Sequence, residues 1–350
     1  MVKADKGNTA LEEANHTAET ALAYHGGGLA AARRRFPGAP EPWLDLSTGI
    51  NALPYPVGAL SAAAFSRLPE AASIAALEAA AARAFGLGAA AEAIAAPGTQ
   101  SLIQILPRLL PARNVAIIGF TYAEHEHVWA ASGAEVKSFE NLEDLASADV
   151  AVVVNPNNPD GRLIDVASLL TLARKMAAQG KTVIVDEAFI DFLSPGASLA
   201  PHLPAPGLIV LRSFGKTFGL AGLRLGFALC DPKMAARLRG ALGPWAVSGA
   251  AVEIGARAYA DREWLTQSAA RLDIFSARLD ALLRKAGLEI LGGTPLFRLA
   301  RHAQAATLFL RLGAGGVLVR PFVTQPEWLR FGIPQEEQDF TRLEKLFRAV

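Results

Sequence analysis

The chain has 350 residues, 51% of them hydrophobic and 19% charged, with 34 basic against 33 acidic side chains and a net charge of +1. That much apolar material fills one large core or two moderate ones, and it excludes disorder over most of the length, because disordered chains combine low hydrophobicity with high net charge. The balanced charge builds no strong field, so neither a nucleic acid nor a membrane surface is expected as a partner. At roughly 150 residues per domain, the length fits about two domains.

Residues 1–24 carry Glu12, Glu13 and Glu19 without an apolar core, and no run of about eighteen apolar residues occurs anywhere. No secretory signal and no membrane span are expected, and the expected location is the cytoplasm. Arg33-Arg34-Arg35 reads as a solvated helix face. The alanine-rich stretch 59–96, interrupted by Arg67, Glu70, Glu78, Arg83 and Glu92, reads as packed helices.

From there, short β-rich runs alternate with helical patterns. Strands are expected at Val115–Gly119, Val150–Val154, Thr182–Asp186, Leu208–Arg212 and Leu225–Leu229, and helices at Ser101–Leu110 and Asp165–Gln179. Apolar strands separated by helices imply a mainly parallel sheet covered on both faces, an α/β arrangement. The pattern changes after Pro244. Residues 248–285 read as one long helix or two, followed by short strands at Glu289–Leu291, Leu296–Leu299, Gly316–Arg320 and Leu329–Gly332. The expected organisation is an N-terminal arm (1–45), a large α/β domain (46–245) and a smaller α+β domain (246–350). The single cysteine, Cys230, rules out an internal disulfide and a multi-thiolate metal site, and it reads as a small buried hydrophobe. No metal is expected.

Four segments carry chemistry. In Ser213-Phe-Gly-Lys-Thr-Phe-Gly-Leu-Ala-Gly-Leu-Arg224, Lys216 sits among apolar residues with one further cation near it, a setting that suits a lysine whose free amine forms an imine. A surface lysine in a glycine-rich loop fits the segment equally well. Asp186 ends a buried strand, where open α/β sheets place ligands, although a capping carboxylate would look the same. Asn155-Pro-Asn-Asn158 is a turn directly after another strand. Ala96-Pro-Gly-Thr-Gln-Ser101 opens a helix whose first amides and Thr99 hydroxyl suit a phosphate.

The ordered set resembles the fold-type-I pyridoxal-phosphate enzymes, and among them the histidinol-phosphate aminotransferase-like branch, over roughly residues 22–335. The resemblance implies an aspartate aminotransferase-like fold with pyridoxal 5′-phosphate as cofactor. Lys216 matches the lysine that binds the cofactor covalently. Asp186 matches the partner of the pyridinium nitrogen, and Asn158 the donor to the phenolic oxygen. Ser213 and Arg224 match phosphate ligands, Thr99 and Gln100 open the phosphate-binding helix, and Tyr122 matches the aromatic that stacks on the ring. Arg330 matches the arginine that grips the substrate carboxylate, since its fork binds carboxylate through two parallel bonds. The resemblance also implies a homodimer. Whether His125 stands behind Asp186 stays open.

Three positions depart from the family pattern. Phe189 stands where a tyrosine is frequent, Gly215 where aminotransferases commonly carry serine, and Leu68 near where many place a tyrosine that reaches the neighbouring subunit's phosphate. Other segments, Tyr24-His25-Gly26-Gly27-Gly28, Asp45-Leu-Ser-Thr-Gly-Ile-Asn51 and Pro244-Trp-Ala-Val-Ser248, are similar to the threonine-phosphate decarboxylases of the cobalamin pathway. On that likeness, His25, Gly26, Gly27, Asn51 and Arg320 become candidates for a substrate phosphate, and the implied reaction is decarboxylation of L-threonine O-3-phosphate. The alternatives are an aminotransferase acting on histidinol phosphate or a related amino acid, and a cofactor-binding protein without catalysis.

Overall fold

Val150–Val154 is buried along its whole length because it lies inside a sheet with both faces covered. That sheet, in a computed structural model that describes residues 26–348, has seven strands. They are β1 (Glu92–Ala96), β2 (Asn114–Ile118), β3 (Glu135–Phe139), β4 (Val150–Val154), β5 (Thr182–Asp186), β6 (Leu208–Ser213) and β7 (Gly226–Cys230). Their order is β1-β7-β6-β5-β4-β2-β3. Only β7 runs antiparallel to its neighbours. No long crossover helix separates it from β6, so the chain returns in the opposite direction.

The faces are covered by amphipathic helices. α1 (Ala71–Phe85), α4 (Val166–Ala177) and α7 (Gly249–Ala260) pack on one side. α2 (Thr99–Leu109), α3 (Glu124–Ala131) and α6 (Pro232–Leu242) pack on the other. A four-residue helix, α5 (Phe214–Thr217), follows β6. α2 buries Leu102, Ile103 and Leu106 at helical spacing, each contributing about 1.5–3 kcal/mol. Asp165, Asp231 and Ser248 start α4, α6 and α7 by accepting an amide hydrogen bond.

Register decides where the site lies. Val154 pairs with Asp186, Asp186 with Leu211, and Gly226 with both Ser213 and Ala96. The segments that leave β1, β4, β5 and β6 therefore all start from one edge of the sheet, its carboxyl edge.

The described residues divide into two compact units, 53–269, which holds this sheet, and 26–52 with 270–348. The smaller unit has a four-stranded antiparallel sheet in the order Arg320–Pro321, Trp328–Gly332, Phe297–Arg301, Glu289–Thr294. Leu44–Asp45 pairs in parallel with Val317–Leu318. Residues up to 52 fall in the smaller unit, whereas the expected organisation put 46–52 in the large domain. Likewise 246–269 falls in the larger unit.

One expectation of secondary structure is corrected, and another is decided between its two alternatives. The stretch 59–96 ends in strand β1, not in helix. Residues 248–285 form two helices, Gly249–Ala260 and Arg262–Lys285, parted at Asp261, whose Oδ1 accepts the Trp264 amide at 2.9 Å. Among the described residues, no helix is long and apolar enough to cross a membrane.

Candidate active site

The larger unit gathers Thr99, Gln100, Tyr122, Asn158, Asp186, Ser213, Lys216 and Arg224, all on segments at or just beyond the carboxyl edge of its sheet. Asp186, the last residue of β5, is buried, and its two oxygens are engaged separately. Oδ2 lies 3.0 Å from His125 Nε2, and Oδ1 accepts the Ala188 amide at 3.1 Å. His125 is itself buried on α3, with its ring edge-on to Tyr122 at 6.2 Å. The carboxylate is thus fixed in orientation from behind, and the role left open for His125 is that of its partner.

Lys216 lies on α5, half-buried, with Nζ 5.6 Å from the centroid of the Phe189 ring. Phe189, in place of the frequent tyrosine, gives the amine an aromatic face instead of a hydroxyl. Gly215 has a packing explanation: a Cβ there would stand 2.7 Å from Ala221 Cα, so a serine does not fit.

An anion cradle forms where α2 begins. Its N-cap is Gly98, which supplies no side-chain cap for the first-turn amides. A Cβ on Gly98 would meet the Arg224 guanidinium at 2.8 Å, and one on Gly226 would meet the Thr99 amide nitrogen at 2.6 Å. These glycines let Arg224 and the start of β7 close on the helix terminus. Arg224 is in the left-handed region, φ 54°, and its Nη1 donates to the Ala221 carbonyl at 3.2 Å. Gln100 is turned toward α3: it donates to Glu124 at 2.7 Å and accepts from the Tyr122 hydroxyl at 3.4 Å. Its side chain therefore braces Tyr122, while its backbone stays in the first turn of α2. Asn158 is buried in the turn after β4, where Asn155 bonds to the Ile164 backbone of the same loop and Asn157 donates to the Phe120 carbonyl in the loop after β2.

A buried ionic cluster that the motifs did not signal lies next to these residues. Glu187, Arg212 and Thr217 each adjoin a site residue, namely Asp186, Ser213 and Lys216. Arg212 reaches Glu187 at 3.3 Å and Ser198 at 3.1 Å, and it also pairs with Asp191, which accepts from the Thr217 hydroxyl. Burial pushes the Glu187 carboxyl up, with Arg212 opposing. Burial also works against the Arg212 cation, but Asp191 and Glu187 outweigh it and hold it above its ordinary value. Strand alternation is the signal that could have found Arg212, since it and Ser213 are neighbours on a strand and face opposite ways.

In the smaller unit, Arg320 and Arg330 are cross-strand partners, and both are buried. Burial, then Arg320, push Arg330 well below its ordinary value, while Asp45 opposes this. Arg330 Nη2 donates to the Ser47 carbonyl at 2.8 Å. Asn51 is buried nearby in the chain. Gly27 donates its amide to Ser47 Oγ at 2.7 Å, so that N–H serves the fold instead of a ligand. Gly26 lies against the Ser47 carbonyl, and His25 lies outside the described residues.

The chain matches the model of the family "Aminotransferase class I and II" over residues 43–344. It is 44% identical to a threonine-phosphate decarboxylase of Sinorhizobium sp. over 322 residues, which cover 91% of this chain and 96% of that one. It is 42% identical to a threonine-phosphate decarboxylase of Pseudomonas aeruginosa over 323 residues, with the same coverage of 91% and 96%. Among solved structures, it is similar to histidinol-phosphate aminotransferase from Sinorhizobium meliloti in complex with pyridoxal-5′-phosphate. The TM-score is 0.81 at 20% identity, covering 92% of this chain and 95% of that one, a likeness of fold.

Proposed function

This chain belongs to the aminotransferase class I and II family, and from that premise we propose that it is a pyridoxal 5′-phosphate enzyme that decarboxylates L-threonine O-3-phosphate to (R)-1-amino-2-propanol O-2-phosphate, a step of cobalamin biosynthesis. The observation that carries this reading is the identity with two threonine-phosphate decarboxylases along nearly the whole of both chains.

The residues present suit the cofactor. The uncapped first turn of α2, the hydroxyls of Thr99 and Ser213 and the Arg224 guanidinium form a donor set for a phosphate dianion. Asp186 has the fixed carboxylate that a pyridinium nitrogen requires, Asn158 supplies an amide for the phenolic oxygen, and the half-buried Tyr122 ring supplies a stacking face. Lys216 supplies the amine for the covalent link. When bound, the cofactor supplies an electron sink for whichever Cα bond of the substrate stands perpendicular to its ring.

The chain's own groups then do the rest. Arg330 binds the substrate carboxylate and so decides how the Cα bonds are presented. Asp186, braced by His125, holds the proton on the ring nitrogen. Lys216 would hold the cofactor covalently, and its amine, when free, would be the acid that delivers a proton to Cα after CO₂ has left. Arg320 and Asn51 are assigned to the substrate phosphate, together with the segment that carries His25, Gly26 and Gly27.

We place the active form as a homodimer in the cytoplasm. In support of the dimer, Phe65, Leu68 and Trp245 are 73%, 62% and 57% exposed. Trp245 also lines an apolar cavity of about 650 Å³ with Pro69 and Ile74, and exposed apolar surface of this kind marks an interface.

The test is incubation with carboxyl-labelled L-threonine O-3-phosphate and no 2-oxoacid. One labelled CO₂ per phosphoamine formed is the expected outcome. Consumption only in the presence of 2-oxoglutarate, with glutamate formed and no CO₂, would make the enzyme an aminotransferase.

A further inference from the structure

Ser47 is a four-way junction in the smaller unit. Its hydroxyl donates to Asp45 Oδ1 at 2.6 Å and accepts the Gly27 amide at 2.7 Å. Its own amide donates to the same Asp45 oxygen at 2.9 Å, and its carbonyl accepts Arg330 Nη2 at 2.8 Å. The side chain is buried, 2% exposed. One residue therefore ties together the glycine segment, a carboxylate and the buried arginine.

The two glycines are required for different reasons, and both reasons concern this crossing. A Cβ on Gly26 would stand 2.3 Å from the Ser47 carbonyl oxygen, the same atom that Arg330 binds. Gly27 has φ +85°, where a side chain would be strained. The segment thus passes over Ser47 along a single path, in contact with the atom that orients Arg330.

We propose that Ser47 is a positioning residue of the anion site. It anchors the segment Gly26-Gly27 against Arg330 and so sets how tightly the site closes on an anionic substrate. The inference rests on the substrate reading of Arg330 given above. It changes what the glycines do: Gly27 spends its amide on the anchor, and the affinity gained comes from holding the segment in place.

The experiment uses the holoenzyme and the Ser47→Ala variant, which keeps the backbone carbonyl for Arg330 and removes only the hydroxyl. Amide exchange at Gly27 is expected to quicken at least tenfold, with the seven-stranded sheet unaffected. KM for L-threonine O-3-phosphate is expected to rise about tenfold, the worth of one buried hydrogen bond, with kcat within about twofold of wild type. Faster exchange with unchanged KM would reduce Ser47 to a structural residue, and unchanged exchange would remove the anchor itself.

Asp45→Ala serves if Ser47→Ala fails to fold, because it removes the acceptor of both the Ser47 hydroxyl and the Ser47 amide. Loss of the anchor raises KM, whereas mere removal of a carboxylate from beside Arg330 would lower it, and the second result overturns the proposal. If wild-type enzyme released no CO₂, the decarboxylase reading would fail. The anchor would then be judged by the dissociation constant of unconsumed L-threonine O-3-phosphate, with Ser47→Ala expected to raise it about tenfold and an unchanged value overturning the proposal.

Discussion

Arg320 and Arg330 stand directly opposite each other across an antiparallel pair, both buried. Like charges in that relation destabilise a sheet, and an anion between or beside them relieves the repulsion. The substrate offers two anionic groups, a carboxylate and a phosphate. Arg330→Ala is expected to weaken substrate binding by about 2–5 kcal/mol, measured as a rise in KM or in the dissociation constant. An unchanged binding constant would take Arg330 out of the site.

His125 and Asp186 give a second test. Asp186→Asn keeps the shape and removes the charge, and it is expected to lower kcat by about 10²–10³. His125→Phe leaves Asp186 Oδ2 without its 3.0 Å partner and is expected to cost about 1–3 kcal/mol of stability. Cofactor affinity should fall in both variants, measured by titration of the cofactor-free protein. If His125→Phe left both stability and cofactor affinity untouched, the bracing role would be wrong.

Gly215 separates packing from chemistry. Serine at this position would bring Cβ to 2.7 Å from Ala221 Cα, so Gly215→Ser is expected to destabilise the protein by about 1–3 kcal/mol without creating transaminase activity. Thermal unfolding and an assay with 2-oxoglutarate check the two halves. A stable Gly215→Ser protein would show that the loop has room the structure denies it.

Cys230 supplies a pH prediction. Burial pushes its thiol from 9.0 up to about 12. At pH 8 the native thiol should therefore resist alkylation and react once the protein is unfolded. The folded value is the raised one, so the stability it contributes is complete below pH 9.0 and is lost as pH rises toward about 12. Cys230→Ala should flatten that alkaline decline in a pH series of unfolding curves. Rapid alkylation of the native protein at pH 8 would contradict the burial.

Much of the larger unit was legible in the sequence because its central strands are pure apolar runs. Val150–Val154 and Thr182–Asp186 were expected with the bounds they have. β1 was hidden because Glu92-Ala-Ile-Ala-Ala has weak strand propensity and becomes a strand by pairing with β7. β3, Glu135–Phe139, is a largely exposed edge strand, so it lacks an apolar run. In the candidate site, Lys216, Asp186 and Arg224 stand in compact motifs that local sequence reveals. The His125–Asp186 contact joins residues 61 apart. The Ser47–Arg330 bond spans 283 positions. Neither pairing has a local signature, and only the folded chain brings the partners together.

The account depends most on the amine of Lys216. Borohydride reduction of the protein loaded with pyridoxal 5′-phosphate, followed by peptide mapping, reads that amine directly. The account predicts one reduced adduct per chain, on Lys216, and none in Lys216→Ala. An adduct on another lysine, or no adduct at all, would contradict it.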